Sequence, residues 1–451
     1  AGRDAAAAEC NGCFCTATER AKADDFAFRL HEYGRFTGIG LAVHAIKDAF
    51  FLQHGGVGCK QKGANQIMPH DVAHPALHRM GYTEMDERAL ILGSAARLGP
   101  YVRSWYQKRR LGYMVVAGVS FLDMTGEDFA AAVKAAAATV PFPVDFIPSR
   151  GFDGDLYQGY GEVVGRILRR IPFRVSRPKP AKVAVAGFVF DRYEPDVFAD
   201  LGQLRRLLGA LGLEPGPFLL GGSSFAELLG AADSGRIVCL PHGRAIPEKD
   251  LEGLGRPVIR TGLPVGFAGT ERWLHDVAAG CSIAKPVVER VVRQATEQIR
   301  PGLQKIRRRF RSEGRRAAIF AETPLAAALA VLMEEIGISP ILVGLRDDSL
   351  GGAAAFRRDA AHIGVELPGD LKVLENPPLH VARSKLRRLA EDGSLQVLLG
   401  SAHELAVMER KQGIATIEIG FPRVSFHPQE PSPTWGFAGA QYICRRILEQ
   451  L

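Results

Sequence analysis

The sequence of 451 residues lacks the features that mark a membrane protein or an exported one. It contains no apolar run of about eighteen residues, so we expect no membrane-spanning helix. The first residues carry no basic stretch followed by an apolar one, so the sequence predicts no export signal and a cytoplasmic location. With 47% hydrophobic residues, the chain can still bury large cores, and its length suits two or three domains.

Cysteine is scarce, with seven in the whole chain. Four of the seven are isolated in sequence, which argues against a disulfide framework and favours reduced thiols or metal ligands. The other three, Cys10, Cys13 and Cys15, lie close together near the start. They are candidate cluster ligands, but no downstream cysteine pair completes a zinc-site spacing. The alternative is an extended segment with unused thiols.

Phosphate-binding glycine motifs are also missing. No G-x-G-x-x-G or G-x-x-x-x-G-K-[ST] follows a predicted first strand, so nucleotide binding by this chain is not predicted. The net charge is +8, and basic residues concentrate in 107–110, 166–177 and 305–316. These patches lack the interleaved aromatic residues of a nucleic-acid stacking platform, so we predict no nucleic-acid partner. A docking face for an acidic protein and solvated helix faces remain as alternatives.

The chain instead shows repeated alternation of apolar strand-like runs and helix-like segments. This pattern predicts an α/β protein with parallel sheets in three doubly wound, Rossmann-like domains. A long basic helix is predicted from Pro286 to Arg311, bridging the second and third domains. The predicted divisions are an N-terminal cysteine-containing extension (1–30), followed by domains at 31–177, 178–312 and 313–451.

One stretch combines several residues that bear chemistry. A short apolar run that begins at Phe51 ends in His54, Gly55, Gly56, Gly58 and Cys59. Glycine allows a close approach to the backbone, and a cysteine after a strand can present a thiolate at a buried junction. Such a thiolate suits a soft metal or an iron–sulfur cluster. The alternative is a glycine-rich turn with an inert cysteine.

Two neighbouring patterns are more ambiguous. His70, His74 and His78 recur at a spacing that would align them on a helix. Pro69 and Pro75 interrupt that helix, so we predict a loop with solvated histidines. Thr83, followed three residues later by Asp86, predicts a helix N-cap with an acidic first turn.

Several motifs in this order resemble those of nitrogenase component 1. The His54–Cys59 turn is similar to that family's cluster-cysteine turn, and the residues from Thr83 to Gly93 resemble its next motif. Further similarity covers the strand ending in Gly126-Glu127-Asp128, the segment Ser149-Arg150-Gly151-Phe152, and the closing motifs Gly420-Phe421-Pro422 and Trp435-Gly436-Phe437. The closing motifs resemble the β-type subunit more than the α-type.

The resemblance implies three Rossmann-like domains and pairing with an α-type homologous subunit as αβ or (αβ)₂. It implies an iron–sulfur cluster at the αβ junction, [4Fe-4S] or [8Fe-7S]-like, with Cys59 as a ligand. It also implies an ATP-dependent [4Fe-4S] reductase component as electron donor and, in the partner, a possible larger iron–sulfur cofactor.

The sequence departs from the family pattern where two further cluster cysteines are expected. Those places correspond to Gly34 or its neighbours and to Ser120. Ser120 oxygen, or one of Cys10, Cys13 and Cys15, is therefore a candidate replacement ligand. For a second cofactor of the α type, Cys239 and His427 lie in the corresponding regions, although a cysteine on a strand is more often a core residue.

The leading functional hypothesis is an electron-relay subunit of a nitrogenase-like reductase. Because the pattern has lost cysteines, reduction of methylthio-alkane carbon–sulfur bonds is favoured over dinitrogen reduction, and tetrapyrrole reduction is a further alternative. A scaffold for nitrogenase cofactor assembly and a cluster-free binding module are the other hypotheses.

Overall fold

In the computed structural model of this chain, the described residues are 33–56, 58–59, 76–149, 154–406, 408, 413–425 and 427–451. Cys10, Cys13, Cys15 and most of the histidine-containing stretch therefore lie outside the described residues. His78 falls in a short 3-10 helix, Ala76–Arg79. Other 3-10 helices are Ala95–Arg97, Ser120–Met124, Gly230–Asp233 and Pro241–Ala245.

The first sheet has four parallel strands in the order β2-β1-β3-β4. Its central strands are apolar on both faces, as expected of a parallel sheet covered by helices. The strands are β1 (Ala49–His54), β2 (Met80–Tyr82), β3 (Tyr113–Gly118) and β4 (Val144–Ile147). The accompanying helices are Arg35–His44, Glu87–Leu92, Leu98–Lys108, Phe129–Ala137 and Leu156–Arg170.

The second sheet repeats this topology, with four parallel strands in the order β6-β5-β7-β8. The strands are β5 (Lys179–Ala186), β6 (Glu214–Phe218), β7 (Ser234–Cys239) and β8 (Val258–Arg260). The helices that follow in this part of the chain are Pro195–Ala210, Phe225–Leu229, Glu248–Glu252, Phe267–Gly280, Lys285–Thr296 and Arg300–Ser312.

The third sheet has five parallel strands in the order β11-β10-β9-β12-β13. The strands are β9 (Arg316–Ala321), β10 (Ser339–Leu345), β11 (Lys372–Glu375), β12 (Val397–Gly400) and β13 (Ala415–Glu418). The helices are Thr323–Ile336, Gly352–Ile363, Leu379–Glu391, Ala402–Leu405 and Gly436–Leu448. The last of these packs back against the helix Pro195–Ala210, and one large apolar core contains residues from all three sheets.

The predicted fold class, α/β with three parallel-sheet units, is confirmed. Each sheet falls inside one of the predicted ranges, while the domain boundaries themselves stay a prediction. The prediction of one long basic helix is wrong, because this segment forms two helices, Lys285–Thr296 and Arg300–Ser312. Pro301 lies in the first turn of the second helix. Proline fits that position, whereas inside a continuous helix it would remove a hydrogen bond and clash with the preceding turn.

Part of the positive charge of the predicted basic patch at 166–177 is neutralised by ion pairs within the chain. Arg169 Nε lies 2.6 Å from Asp250 Oδ1, and Arg170 Nη2 lies 2.6 Å from Asp145 Oδ1. These contacts tie the helix Leu156–Arg170 to its neighbours. No helix in the described ranges is long and apolar enough to cross a bilayer.

All three sheets share one topological feature. In each, the chain adds strands on one side of a central strand and later returns to its other side. The loops after the two adjacent strands then part, leaving a crevice at the carboxyl edge where ligands bind in open α/β sheets. These switch points lie between β1 and β3, between β5 and β7, and between β9 and β12.

Two glycines let the helices that cover the first sheet meet closely. A Cβ atom added at Gly38 would lie 1.9 Å from the carbonyl oxygen of Leu156, and one at Gly159 would lie 2.0 Å from that of Arg35. Both distances are far below van der Waals contact. The backbones of the helices Arg35–His44 and Leu156–Arg170 therefore touch directly.

We predict that Gly159→Ala lowers the free energy of unfolding by about 1–3 kcal/mol, because the new methyl group must push the two helices apart. The measurement is urea denaturation followed by circular dichroism. Gly202→Ala is the matched control, since a Cβ there meets nothing within 4 Å. It should be neutral or raise stability by up to about 1 kcal/mol through helix propensity. Equal effects of the two substitutions would contradict the close packing.

Candidate functional site

The glycine-rich turn lies at the switch point of the first sheet. His54 is the last residue of β1 and stands opposite Gly118, the last residue of the neighbouring β3. Cys59 follows the end of β1, and the backbone of Ser120 follows the end of β3. The fold therefore brings Cys59 and Ser120 to the same carboxyl edge, although the side chain of Ser120 is outside the described set.

Cys59 is half-buried, and its backbone N–H donates to the carbonyl of Gly56 at 3.1 Å. Its side chain packs against the apolar cluster on one face of the first sheet, which contains Leu52 and Val119. The sulfur thus lies between a dry core and the surface. This placement suits a thiol that faces a group at a protein junction.

A hydrogen-bond network holds the turn in place. The backbone of Gly55 donates to Thr83 Oγ1 at 3.1 Å and accepts from Met85 N at 2.9 Å. His54 is fully buried, and its two ring nitrogens lie 2.9 Å from Thr83 Oγ1 and 3.0 Å from Ser94 Oγ. The turn and the segment from Thr83 to Ser94 are therefore fastened together through His54.

The network ends at a carboxylate. Glu127 accepts from Ser94 Oγ at 2.9 Å, and from the backbone N–H groups of Ser94 and Ala95 at 2.7 Å each. Desolvation alone would raise the pKa of Glu127, but these hydrogen bonds outweigh it and hold the pKa below its ordinary value. The glycine–acidic motif is thus a structural anchor for the other two motifs.

The donors fix the tautomer of His54. Ser94 donates its hydroxyl hydrogen to Glu127, so its oxygen accepts from His54 Nε2–H. With the hydrogen on Nε2, Nδ1 of the neutral ring is an acceptor, so the Thr83 hydroxyl donates to it while the Thr83 oxygen accepts from Gly55 N–H. A neutral ring fits this pattern. Burial lowers the pKa of His54 to about 4, with Glu127 opposing the shift and Arg97 adding to it.

The prediction that Thr83 is a helix N-cap is wrong. Asp86 caps the helix Glu87–Leu92, with its Oδ1 accepting from Ala89 N at 2.8 Å. Thr83 is buried and bonds His54 instead. A carboxylate closer to the first turn is the better acceptor for the orphan N–H groups, which leaves the threonine available for the turn.

Glycine is required at one position of the turn. A Cβ atom at Gly55 would lie 2.7 Å from Val119 Cγ2. Gly34, which with its neighbours is the place where the resemblance implies another cysteine, is the N-cap of the helix Arg35–His44 and forms a bridge with Asp155. It has no side chain to offer a ligand.

Within the described residues, no group of three or more His, Cys, Asp or Glu side chains is placed to hold a metal ion. Cys59 fits an iron–sulfur cluster as one thiolate donor, since it is half-buried at the carboxyl edge of the first sheet and packs against an apolar cluster. It does not supply a complete ligand set. The other donors would have to come from elsewhere, and the predicted ligands Cys10, Cys13 and Cys15 lie outside the described residues.

Cys239 and His427 belong to different environments. Cys239 ends β7 inside the core, where burial raises the pKa of its thiol to about 11. His427 Nδ1 lies 2.5 Å from Glu194 Oε1. Glu194 also bonds the fully buried Arg192. Cys239 is thus a core thiol and His427 part of an ion-pair network.

That network surrounds Arg192 with carboxylates. Arg192 contacts Asp191 at 2.7 Å and Glu194 at 3.0 Å, and also bonds Asp196. Arg423 Nη1 lies 2.7 Å from Asp196 Oδ2. These pairs join the loop after β5 to the loop after β13, and so connect the second and third sheets.

Comparison with known proteins agrees with this architecture. The family described as nitrogenase component 1 type oxidoreductase matches residues 35–451. The chain belongs to the nitrogenase component 1 family. Similar curated proteins include the nitrogenase vanadium-iron protein beta chain of Trichormus variabilis, 21% identical over 90% of each chain. The nitrogenase molybdenum-iron protein beta chain of Bradyrhizobium diazoefficiens is 21% identical, over 88% of this chain and 79% of that one.

A third similar protein is named for a different role, in cofactor biosynthesis. It is the nitrogenase iron-molybdenum cofactor biosynthesis protein NifE of Methanosarcina barkeri, 21% identical over 86% of this chain and 83% of its own length. Among solved structures, nitrogenase Cp1 at pH 6.5 superposes with a TM-score of 0.75 at 15% identity, over 93% of both chains. That likeness confirms the fold of the nitrogenase component 1 family, and the family supports an oxidoreductase-type subunit.

Sequence reasoning found the motifs but missed how they connect. Ser94 joins His54 to Glu127, but nothing in the sequence marks it as important except its place directly after Gly93. His242 and Glu322, which bond each other across two sheets at 3.0 Å, were also missed. Glu322 directly follows β9, and His242 lies three residues after the end of β7. A place at the carboxyl end of a buried strand is the one sequence signal that marks such positions.

We predict that the free energy of unfolding decreases as the pH is lowered, because of His54. In the folded chain its pKa is about 4, against the ordinary 6.5, so protonation favours the unfolded state. The contribution is complete above pH 6.5 and is lost between pH 6.5 and 4, by on the order of 3 kcal/mol. Urea denaturation across this range should show the slope in the wild type and a flatter one in His54→Gln. The exposed His380→Gln is the control, and a slope unchanged in His54→Gln would contradict the neutral, buried ring.

Proposed function

We propose that this chain is the β-type subunit of a nitrogenase-like two-component reductase. In this proposal, Cys59 supplies one thiolate to an iron–sulfur cluster shared with an α-type partner. The observation that carries it is the position of Cys59 at the switch point of the first sheet, on a turn anchored by His54, Thr83 and Ser94. The beta chains among its relatives support the assignment to the β type.

The chain's own residues would set the properties of such a site. Cys59 holds the group, and the network behind it fixes the turn, so the sulfur is presented in one orientation. The apolar cluster that contains Leu52 and Val119 keeps one side of the site dry. When bound, a cluster would accept and release single electrons, with a potential tuned by burial and hydrogen bonds to sulfur.

Because one thiolate cannot complete a cluster, the proposal requires a partner that brings most of the ligands. We propose an α-type homologous subunit in this role, an ATP-dependent [4Fe-4S] reductase as the electron donor, and methylthio-alkane carbon–sulfur reduction as the reaction. The second candidate is a scaffold for cofactor assembly, which the similarity to a cofactor biosynthesis protein favours. Turnover with reductase and ATP supports the first, and release of a cofactor to an apo-enzyme supports the second.

We predict that Cys59→Ala lowers the iron content of the complex and abolishes or alters its electron paramagnetic resonance signal. The protein is purified anaerobically with its co-encoded partner, and iron is counted per complex. Cys281→Ala is the matched control, since Cys281 is also a half-buried cysteine but follows the helix Phe267–Gly280 in another part of the fold. It should leave iron and spectrum unchanged. An unchanged Cys59→Ala complex would refute the ligand role and favour a cluster-free module.

Exposed apolar side chains lie on two segments that the hydrogen-bond network joins to the turn, and together they are called the apolar patch. Ile91 and Leu92 end the helix Glu87–Leu92 and are 82% and 71% exposed, and Met124 is 82% exposed. The two segments meet at Glu127, which lies near Gly93 and bonds Ser94. Apolar side chains concentrated at one place on a surface mark interaction sites. We propose that the reductase component docks here, next to the cluster it would reduce.

We predict that Ile91→Asp weakens reductase docking, because a charge would be buried in an apolar contact. Reductase-dependent activity should fall at least about tenfold, equivalent to about 1.4 kcal/mol, while the αβ complex still assembles. Val175→Asp is the control, since Val175 is 86% exposed in the segment between the first two sheets. Loss of αβ assembly, with no effect on reductase binding, would assign the patch to the α-type subunit instead.

A further inference from the structure

A second crevice lies where the second and third sheets meet. A cavity of about 70 Å³ is lined from the switch points of both sheets. Phe188 follows β5, His242 follows β7, Glu322 follows β9, and Phe421 follows β13. A cavity of this size holds a few water molecules or one ligand of about three or four non-hydrogen atoms.

His242 and Glu322 form a buried pair on the wall of this cavity. His242 Nε2 lies 3.0 Å from Glu322 Oε1, and their side chains are 5% and 9% exposed. A carboxylate only accepts hydrogen bonds, so Nε2 carries the hydrogen. Tyr157 also bonds Glu322, and its ring stacks on His242 with centroids 5.7 Å apart and an interplanar angle of 22°. The imidazole is therefore fixed in tautomer and orientation.

Among the described residues, no group lies within hydrogen-bond distance of the other ring nitrogen of His242, although that nitrogen is buried. In the neutral ring, Nδ1 is then a bare acceptor. Several other buried side-chain atoms of the described residues also have no partner, but His242 lines a cavity, where a partner has room to bind and to offset the lost hydration. A ligand or ordered water in the cavity is the explanation that the lining of the cavity favours.

The turn that carries His242 is tightly packed. A Cβ atom at Gly243 would lie 2.3 Å from Cys239 Sγ, and one at Gly187 would lie 2.7 Å from Gly243 N. The ends of β5 and β7 thus touch through two glycines beneath the cavity. The backbone that carries His242 is therefore held in place.

The charges around the cavity select the kind of ligand. Three carboxylates line it, Asp191, Asp200 and Glu322, against one guanidinium, that of Arg423. Asp191 is paired with Arg192 at 2.7 Å, and burial raises the pKa of Asp200 to about 7. Among the described lining residues, the charge of Glu322 is therefore the one that no guanidinium matches. Arg423 is itself paired with Asp196 at 2.7 Å. Such a lining repels anions and favours neutral molecules or cations.

We propose that this cavity is a binding site for a small neutral or cationic hydrogen-bond donor, such as an alcohol, a thiol or an ammonium-type cation. His242 Nδ1 accepts the hydrogen bond of the ligand, and Glu322 positions the imidazole. The site is separate from the Cys59 turn, since its described lining comes from the second and third sheets and from Tyr157 in the helix Leu156–Arg170, and includes no residue of that turn. The proposal for this cavity therefore does not depend on the proposed iron–sulfur function.

The test is a titration of the full chain, labelled with ¹⁵N-histidine and observed by long-range ¹H–¹⁵N NMR. The probes are methylammonium, methanol and formate at matched ionic strength. His242→Gln assigns the signal, and the exposed His380 serves as an internal reference. We expect the Nε2–H tautomer and a saturable shift of His242 Nδ1 with methylammonium or methanol, but not with formate. An Nδ1–H tautomer, a response to formate alone, or no saturable response to any probe would overturn the proposal.

A variant pair tests the positioning role of Glu322. Glu322→Gln replaces an obligate acceptor by an amide that can also donate, so the tautomer of His242 is no longer fixed. The apparent affinity for methylammonium should fall at least about tenfold. The circular dichroism spectrum and the thermal melting curve should be unchanged, as expected if Tyr157 keeps its place. Glu248→Gln, which alters an exposed pair with Arg260, is the control and should change neither. If Glu322→Gln does not fold, the wild-type titration alone decides.

Discussion

The hydrogen bonds of His54 are the interaction on which the candidate site depends. Three segments that are distant in sequence meet there: the turn after β1, the stretch from Thr83 to Ser94, and the acidic turn at Glu127. Each segment also contributes apolar residues to the same cluster, among them Leu52, Met85 and Phe129. A neutral imidazole with one donor and one acceptor satisfies both neighbours, and the carboxylate of Glu127 then completes the network. A rigid turn is what a thiolate at a junction needs in order to be presented in one orientation.

The same topology produces two sites of different character. In the first sheet the switch point opens towards the surface, and the segments bonded to the turn there carry exposed apolar residues. In the second and third sheets the switch points face each other and close around a small cavity. The ion pairs of Arg192 and Arg423 lock the loops that bound this cavity. A fully buried guanidinium is stable only because several carboxylates compensate for its lost hydration, which makes this junction specific as well as tight.

The sequence predicted the strands well because parallel strands are buried on both faces and read as continuous apolar runs. The apolar runs at 49–53, 111–119, 315–321 and 395–401 predict strands, and β1, β3, β9 and β12 lie within two residues of these bounds. It also singled out the turn at Cys59 and the motifs around it. Errors arose where a local pattern had two physical solutions. Thr83 and Asp86 both suit an N-cap, and only the position of His54 decides between them. A basic run reads as one helix until Pro301 begins a second.

Contacts between sheets could not be predicted at all. His242 and Glu322 are 80 residues apart in sequence, and neither belongs to a local motif with a spacing that reports on the other. The same holds for the pairs that join Asp196 to Arg423 and Glu194 to His427. Such pairs depend on how three sheets pack, and that packing is decided by the shape of the whole apolar core.

The central claim is that Cys59 binds iron in a cluster completed by a partner subunit. The most direct test is a structure of the anaerobically purified complex, with iron located by anomalous scattering. Our account predicts iron bonded to Cys59 Sγ, with most of the remaining ligands contributed by the partner chain. Iron absent from the vicinity of Cys59, or a cluster ligated without it, would contradict the account.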